Sequence, residues 1–315
     1  MVTSASIIIC TFNRSSSLVE TLESITQLDV PVGVDWEVLV VDNNSTDDTR
    51  EAVARFIQAG HKNIRYLFES KQGKAYALNH AINNAHGEIL AFTDDDALLG
   101  RQWLQLILDT FSDLKPDCVG GKVVPLWLDQ RPDWLTDRLL NVLAMLDLGE
   151  SVHELDGKKG EMLYGVNFAF KKDFFVTHGL FNTELCSRGA GNEDHELFER
   201  LHRNGGRAIY HPGVVVRHKV FPERMKKPYF RRWHHLVGRD RAKLVTNTRL
   251  RIFGVEGYMI RNFLAFFGKY LRALFSLDRE QTFYYELKVI LYLSFFETRV
   301  KQFISGGLPT AGSNS

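Results

Sequence analysis

The sequence predicts an α/β fold, a mainly parallel sheet flanked by helices, followed by a helical, basic, amphipathic extension. Three observations carry this. Across the first 125 residues, short apolar runs alternate with stretches of helical periodicity, the pattern of βαβ units. Polar residues cluster directly after the first, second and fourth apolar runs, where open parallel sheets bind ligands. The net charge of +1 hides an acidic body and a basic tail: residues 1–218 hold 21 Lys+Arg against 31 Asp+Glu, and residues 219–315 hold 18 against 7. With 315 residues, 44% hydrophobic and 24% charged, the chain can bury a substantial core in about two domains, which excludes global disorder.

The elements follow in order. Residues 7–10 form a strand that ends in Thr11-Phe12-Asn13-Arg14, and residues 17–28 place Leu18, Leu22, Ile25 and Leu28 at helical spacing. A second strand, 36–41, ends in Asp42-Asn43-Asn44-Ser45 and leads into a helix over 46–59, with Ser45 and Asp48 spaced as a capping box. A strand at 64–68 and a helix at 74–85 come next. The fourth strand, 88–92, ends in Thr93-Asp94-Asp95-Asp96, ahead of a helix at 103–111. Beyond residue 125 the pattern is mixed, with a helix expected over 132–148, strands at 165–170 and 208–216, and a helix at 193–204 stopped by Gly205-Gly206.

The domain reading is 1–220, in two halves of about 1–125 and 126–220, then a helical extension at 221–305 and a disordered tail at 306–315. Neither apolar stretch of the extension, 258–277 or 283–296, suits a membrane span, since charges interrupt the first and the second is too short. A basic stripe beside broad aromatic cover fits a helix lying at a membrane interface, or one packed on the body or a second subunit. Cys10, Cys118 and Cys186 are odd in number and far apart, which predicts no disulfide framework and a reducing compartment. No basic region precedes the first apolar run, so no cleavable signal peptide is expected. The tail has no nucleic-acid module, and no nucleic-acid partner is expected.

Two clusters can carry chemistry. Asp94, Asp95 and Asp96 crowd like charge at a strand end, a cost that a divalent cation with a preference for oxygen ligands would offset; a solvated turn is the bland alternative. Gly191-Asn192-Glu193-Asp194 opens a helix, where the macrodipole keeps a carboxylate ionised and able to act as a general base, or where the acids serve the helix alone.

Taken together, Ile8-Ile9-Cys10-Thr11-Phe12-Asn13-Arg14, residues 40–47, residues 73–79, Phe92-Thr93-Asp94-Asp95-Asp96, residues 165–170, 191–201 and 210–218 resemble family 2 glycosyltransferases of the GT-A fold. The resemblance implies a nucleotide-sugar site of Thr11, Phe12, Asn13, Arg14, Asp42, Asn44, Lys74, Asp94 and Asp95. Position 12 is usually Tyr in that family. It implies Mn²⁺ or Mg²⁺ on Asp94, Asp96 and His218, with Asp96 the direct ligand. It implies Asp194 as catalytic base, supported at the acceptor side by Glu193 and Asn167. Tyr229-Phe230-Arg231-Arg232-Trp233 resembles the Q-x-x-R-W motif of processive synthases with Tyr229 in place of Gln, which makes Arg231, Arg232 and Trp233 candidate phosphate or acceptor contacts.

The expected function is metal-dependent, inverting transfer from a nucleotide-sugar, a UDP-sugar by preference, to a hydroxyl of a surface glycan or lipid-linked oligosaccharide. The expected place is the cytoplasmic face of the inner membrane, with a homo-oligomer allowed. Transfer to polyprenyl phosphate and a non-catalytic sugar-nucleotide or glycan-binding protein are the alternatives.

Overall fold

The structure is a computed structural model and describes residues 2–157, 161–185, 192–244, 251–252 and 254–305. Cys186, Gly191 and the expected tail at 306–315 lie outside them. The chain divides into two units. The first comprises Met1–Gln130, Leu143–Arg188 and Glu193–Phe221; the second takes its described residues from Arg131–Val142, Gly189–Asn192 and Pro222–Ser315.

The first unit is built on nine strands: β1 (Ser4–Thr11), β2 (Asp35–Asp42), β3 (Ile64–Phe68), β4 (Ile89–Asp94), β5 (Ala97–Leu99), β6 (Cys118–Trp127), β7 (His153–Glu154), β8 (Phe168–Lys171) and β9 (Ala208–Val220). Their order is β3-β2-β1-β4-β8-β6-β9-β5, with β7 paired to β9. The first four in this order are mutually parallel, and β8 enters antiparallel to β4 and β6. Helices α1 (Ser15–Thr26), α2 (Thr49–Gln58), α3 (Lys74–Asn84), α4 (Trp103–Leu114), α5 (Lys172–His178) and α6 (Asn192–Arg203) complete it.

The parallel half follows from apolar patterning. Ile7, Ile8 and Ile9 of β1 and Val38, Leu39, Val40 and Val41 of β2 are all buried, because helices cover both faces of such a sheet. The small face of α3, Ala75, Ala77, Leu78, Ala81 and Ile82, lets that helix lie close. Under the second half, Phe92, Phe168, Phe170, Phe175 and Phe181 meet largely edge-on at centroid distances of 5.2–5.9 Å, the packing that aromatic quadrupoles favour.

The pairing of β6 with β9 contains an irregularity. Between Gly121↔His211 and Val123↔Val216, β9 advances five residues while β6 advances two. Gly121 is required there: a Cβ would sit 2.2 Å from the Val214 carbonyl oxygen and 2.4 Å from that of His211. Gly120, Gly121 and Pro125 also hide β6 in the sequence, since such residues weaken a strand's pattern.

The helix expected over 132–148 is largely absent. Only Asp137–Leu143 forms a 3-10 helix; Ala144 then takes a left-handed φ of 58°, and Leu146 bridges antiparallel to Val123. Sheet pairing prevails over local helical periodicity there.

In the second unit, α7 (Lys227–Leu244), α8 (Gly257–Phe275) and α9 (Arg279–Ile304) accompany a small ladder of β10 (Arg251–Ile252) and β11 (Val255–Glu256). Gly238 brings α7 against α9, since a Cβ would lie 2.2 Å from the Leu291 carbonyl oxygen. Trp134 stands edge-on to Phe230 and Phe283, at 5.2 Å from each. Arg299 of α9 and Glu256 of β11 form an ion pair at 2.6 Å with both side chains fully buried. Arg299 also donates to the carbonyls of Gly254 (3.0 Å) and Ala242 (3.3 Å).

Removing one partner of a buried ion pair strands the other charge. Arg299→Ala is therefore expected to destabilise the fold by about 3–5 kcal/mol in urea titration, and an unchanged midpoint would refute the structural role.

Candidate active site

The loops after β1, β2 and β3 are braced against one another. Thr11 is buried and in register with Asp42. Asn13 (φ 52°) and Asn44 (φ 66°) adopt the left-handed conformation that Asn tolerates better than most residues. The Asn13 N–H donates to Ser45 Oγ (3.0 Å) and its side-chain oxygen accepts from the Thr46 N–H (2.7 Å). Asp42 accepts from the Ser45 N–H (2.8 Å) and the Tyr66 hydroxyl (2.7 Å). Phe12 is half-buried beside these loops.

The expected Ser45/Asp48 capping box does not form. Asp47 takes the role for two helices at once, accepting from the Ser15 N–H at the start of α1 (2.9 Å) and the Thr49 N–H at the start of α2 (3.2 Å). No sequence signal singled out Asn43. Its amide donates to the carbonyls of Glu69 (3.2 Å) and Lys71 (2.8 Å), and its oxygen accepts from the Gly73 N–H (2.7 Å). That staple sets the loop from which Lys74 starts α3.

Lys74 Nζ lies 2.7 Å from Asp94 Oδ1. Burial lowers its basicity, but Asp94, Asp194 and Glu193 more than offset this and hold it raised and protonated. Arg14 Nη1 reaches Asp96 Oδ2 at 2.6 Å and Asp95 Oδ1 at 3.2 Å. Burial, then the charge of Asp96, pushes the Asp95 carboxyl up to about 6 against the pull of Arg14.

His218 arrives through the antiparallel pairing of β5 with β9, in which Ala97 lies opposite it. Its Nε2 is 3.1 Å from Asp96 Oδ1 and its Nδ1 is 3.0 Å from the Leu143 carbonyl. A carbonyl only accepts, so Nδ1 carries the proton and turns Nε2 toward the carboxylates, the orientation that metal-binding histidines use. One ligand atom each from Asp94, Asp96 and His218 lie within 4.8 Å of one another. Two hard oxygens and an imidazole nitrogen fit Mn²⁺ or Mg²⁺.

At the start of α6, Asp194 is buried. Its Oδ2 accepts from the Gly165 N–H at 2.8 Å, while its Oδ1 has no partner among the described residues. Gly165 is needed for this approach, because a Cβ there would fall 2.8 Å from Oδ1. Burial pushes Asp194 up to about 6, against the opposing pull of Lys74 and the Gly165 N–H. Burial, then Asp194, raises Glu193 to about 7. Lys74 thus feels both clusters and links them electrostatically.

The family model described as "Glycosyl transferase family 2" matches residues 6–177. The chain belongs to glycosyltransferase family 2. It is 27% identical over 232 residues to the "Glucosyl-dolichyl phosphate glucuronosyltransferase" of Haloferax volcanii, covering 70% of each chain. It is 37% identical over 93 residues, 29% of each chain, to the "GalNAc(5)-diNAcBac-PP-undecaprenol beta-1,3-glucosyltransferase" of Campylobacter jejuni. Its fold resembles the mannosyltransferase PcManGT of Pyrobaculum calidifontis, solved with GDP-Man and Mn²⁺, with a TM-score of 0.64 and 24% identity over 96% of this chain and 87% of that one. The fold is therefore GT-A, and the protein is a glycosyltransferase.

In this family 2 enzyme, Asn167 does not stand open to an acceptor. It is fully buried, and its amide is taken up by the Lys122 and Val214 carbonyls (2.9 Å each) and the Trp103 indole N–H (2.7 Å). These bonds tie β6 to β9 beside the Gly165 turn. In the second unit, Arg231 pairs with both oxygens of Glu286 (2.6 and 3.2 Å), Arg232 is exposed, and Trp233 is half-buried against Val237 and Leu291.

Asn43→Ala would remove the staple while leaving every charged group in place. Hydrogen exchange at residues 69–74 is expected to quicken at least tenfold, with a stability loss of about 1–3 kcal/mol. Unchanged protection would show that the loop holds without it.

Proposed function

We propose that this glycosyltransferase carries out metal-dependent, inverting transfer from a nucleoside diphosphate sugar, a UDP-sugar by preference, to a hydroxyl of a surface-glycan or lipid-linked acceptor. One observation carries the reading: Asp194 is buried with one oxygen pinned by Gly165 and the other unpartnered, in the field of Lys74 and Asp94.

The braced loops of Thr11, Phe12, Asn13, Asp42 and Asn44 receive the base and ribose, where the Asp42 carboxylate accepts from N–H or O–H donors. Arg14 and Lys74 bring fixed positive charge to the diphosphate, beside Asp94 and Asp95. Asp94, Asp96 and His218 would hold the divalent ion, whose chemistry is to neutralise charge developing on the leaving diphosphate.

Asp194 Oδ1 accepts the acceptor's hydroxyl proton. The freed oxygen forms its bond to the anomeric carbon from the face opposite the diphosphate, and the carbon–oxygen bond to the diphosphate breaks with its electron pair leaving on phosphate oxygen. One displacement inverts the centre. Glu193 adds negative charge beside the base and supports the acceptor. Relatives whose names carry dolichyl phosphate and PP-undecaprenol support a lipid-linked acceptor.

Asp194→Asn is expected to lower kcat by about 10²–10⁴ with donor affinity retained. Full activity in that variant would point instead to a phosphate acceptor, which needs no base. A base acts only when ionised, and a raised pKa keeps the proton on to higher pH. The wild-type rate is therefore expected to fall as pH drops through about 6, with no such limb in the Asn variant. Asp96→Ala, or EDTA on the wild type, is expected to abolish slow hydrolysis across a panel of UDP- and GDP-sugars. Undiminished hydrolysis would remove the metal from the reading.

A further inference from the structure

We propose that α8 holds the protein on an anionic lipid bilayer, lying along the surface with one apolar face inserted. This deepens the lipid-linked acceptor reading by naming the surface that would meet it, and its test needs neither donor nor acceptor.

Helix α8 is apolar on two faces, and only one is covered. Phe263 packs on Phe296 at 5.3 Å, and Phe266 stacks on Tyr292 at 5.8 Å, which places that side against α9. The other side carries Leu264, Phe267, Leu271, Leu274 and Phe275, spaced to fall on one helical face, and all five are exposed. The face continues into the turn toward α9. Phe275 is 82% exposed and Leu277 is 84% exposed, and Leu277 holds a left-handed φ of 56°. A leucine seldom adopts that conformation, and here its apolar side chain is left exposed.

Charge selects the occupant. Arg261 and Arg272 flank the apolar face and are exposed, with no acidic partner among the described residues. Lys269 is also exposed, its ammonium 5.5 Å from the centre of the Phe266 ring. No Asp or Glu occurs between Gly257 and Phe275. A second copy docking through this face would bring α8 cations together with no α8 acid to answer them. An anionic lipid surface answers all of them, and an apolar face with a basic edge is the pattern of a helix lying in the interface. Among the described residues no helix is long and apolar enough to cross a membrane, so attachment along the surface is the mode that α8 permits.

The test is co-sedimentation of the full chain with phosphatidylcholine vesicles, with and without about 30% phosphatidylglycerol. Three proteins are compared: the wild type, the combined Leu271→Ser, Phe275→Ser and Leu277→Ser variant, and the combined Arg261→Gln and Arg272→Gln variant. All the altered side chains are exposed, so folding is expected to survive, and circular dichroism checks it. The wild type should bind the anionic vesicles. The serine variant should bind at least about tenfold less, and the glutamine variant about fivefold less per cation removed. Phe275→Trp should blue-shift its emission on anionic vesicles. Absence of wild-type binding, binding unaffected by the serine changes, or equal binding to neutral vesicles would overturn the proposal. So would a solution dimer that the serine changes dissociate while lipid binding persists. Metal-dependent donor hydrolysis in solution, measured on the same proteins, should be unchanged by the α8 substitutions. Its absence in all three would count against the proposed reaction and leave the attachment standing.

Discussion

Three consecutive carboxylates at the mouth of a buried strand repel one another, and much of the first unit is arranged around that repulsion. The groups that face them come from distant parts of the chain. The cations Arg14 and Lys74 follow β1 and open α3, and the His218 imidazole is delivered by β9. Each must be held by backbone that would otherwise be free to move. The cross-bracing of the β1 and β2 loops, the Asn43 staple and the Leu143 carbonyl behind His218 serve that end. Lys74 also acts on Asp194 and Glu193, so the chemistry assigned to the base depends on a charge that also answers the acidic strand end.

The N-terminal half was legible because its physics is local. Strands buried on both faces read as unbroken apolar runs, and helices covering them show one apolar stripe. The polar strand ends also stood out, since Asp94-Asp95-Asp96 after an apolar run invites an explanation wherever it occurs. Less visible were features set by packing. The strand β6 is masked by Gly120, Gly121 and Pro125, and residues 132–148 carry helical spacing that sheet pairing overrides. Asn43 and Gly165 look like ordinary loop residues, and only the fold shows which backbone groups they serve. Family resemblance points to Asn167 at the acceptor side, and only the fold shows the internal network that its amide joins.

The basic character of the tail is not uniform. Arg299 is buried against Glu256, Arg231 pairs with Glu286, and Lys301 pairs with Glu297. Subtracting such internal uses leaves α8 as a stretch with cations and no acids. A charge balance read from sequence points to a region, and the structure shows α8 as a helix of that region with no acid of its own.

The irregularity in β9 has a consequence for how this protein can vary. Side chains alternate faces along a strand, so an offset of three residues reverses the face shown by everything beyond it. His218 faces the acidic cluster on that account, while Lys219 turns the other way, its Nζ 2.9 Å from Glu20. A one-residue shift of the chain beyond the bend against β6 would present Lys219 to the aspartates and send His218 to the opposite side, whereas a shift of two preserves the alternation. The bend between His211 and Val216 is therefore tied to the site through the register it leaves between β6 and β9.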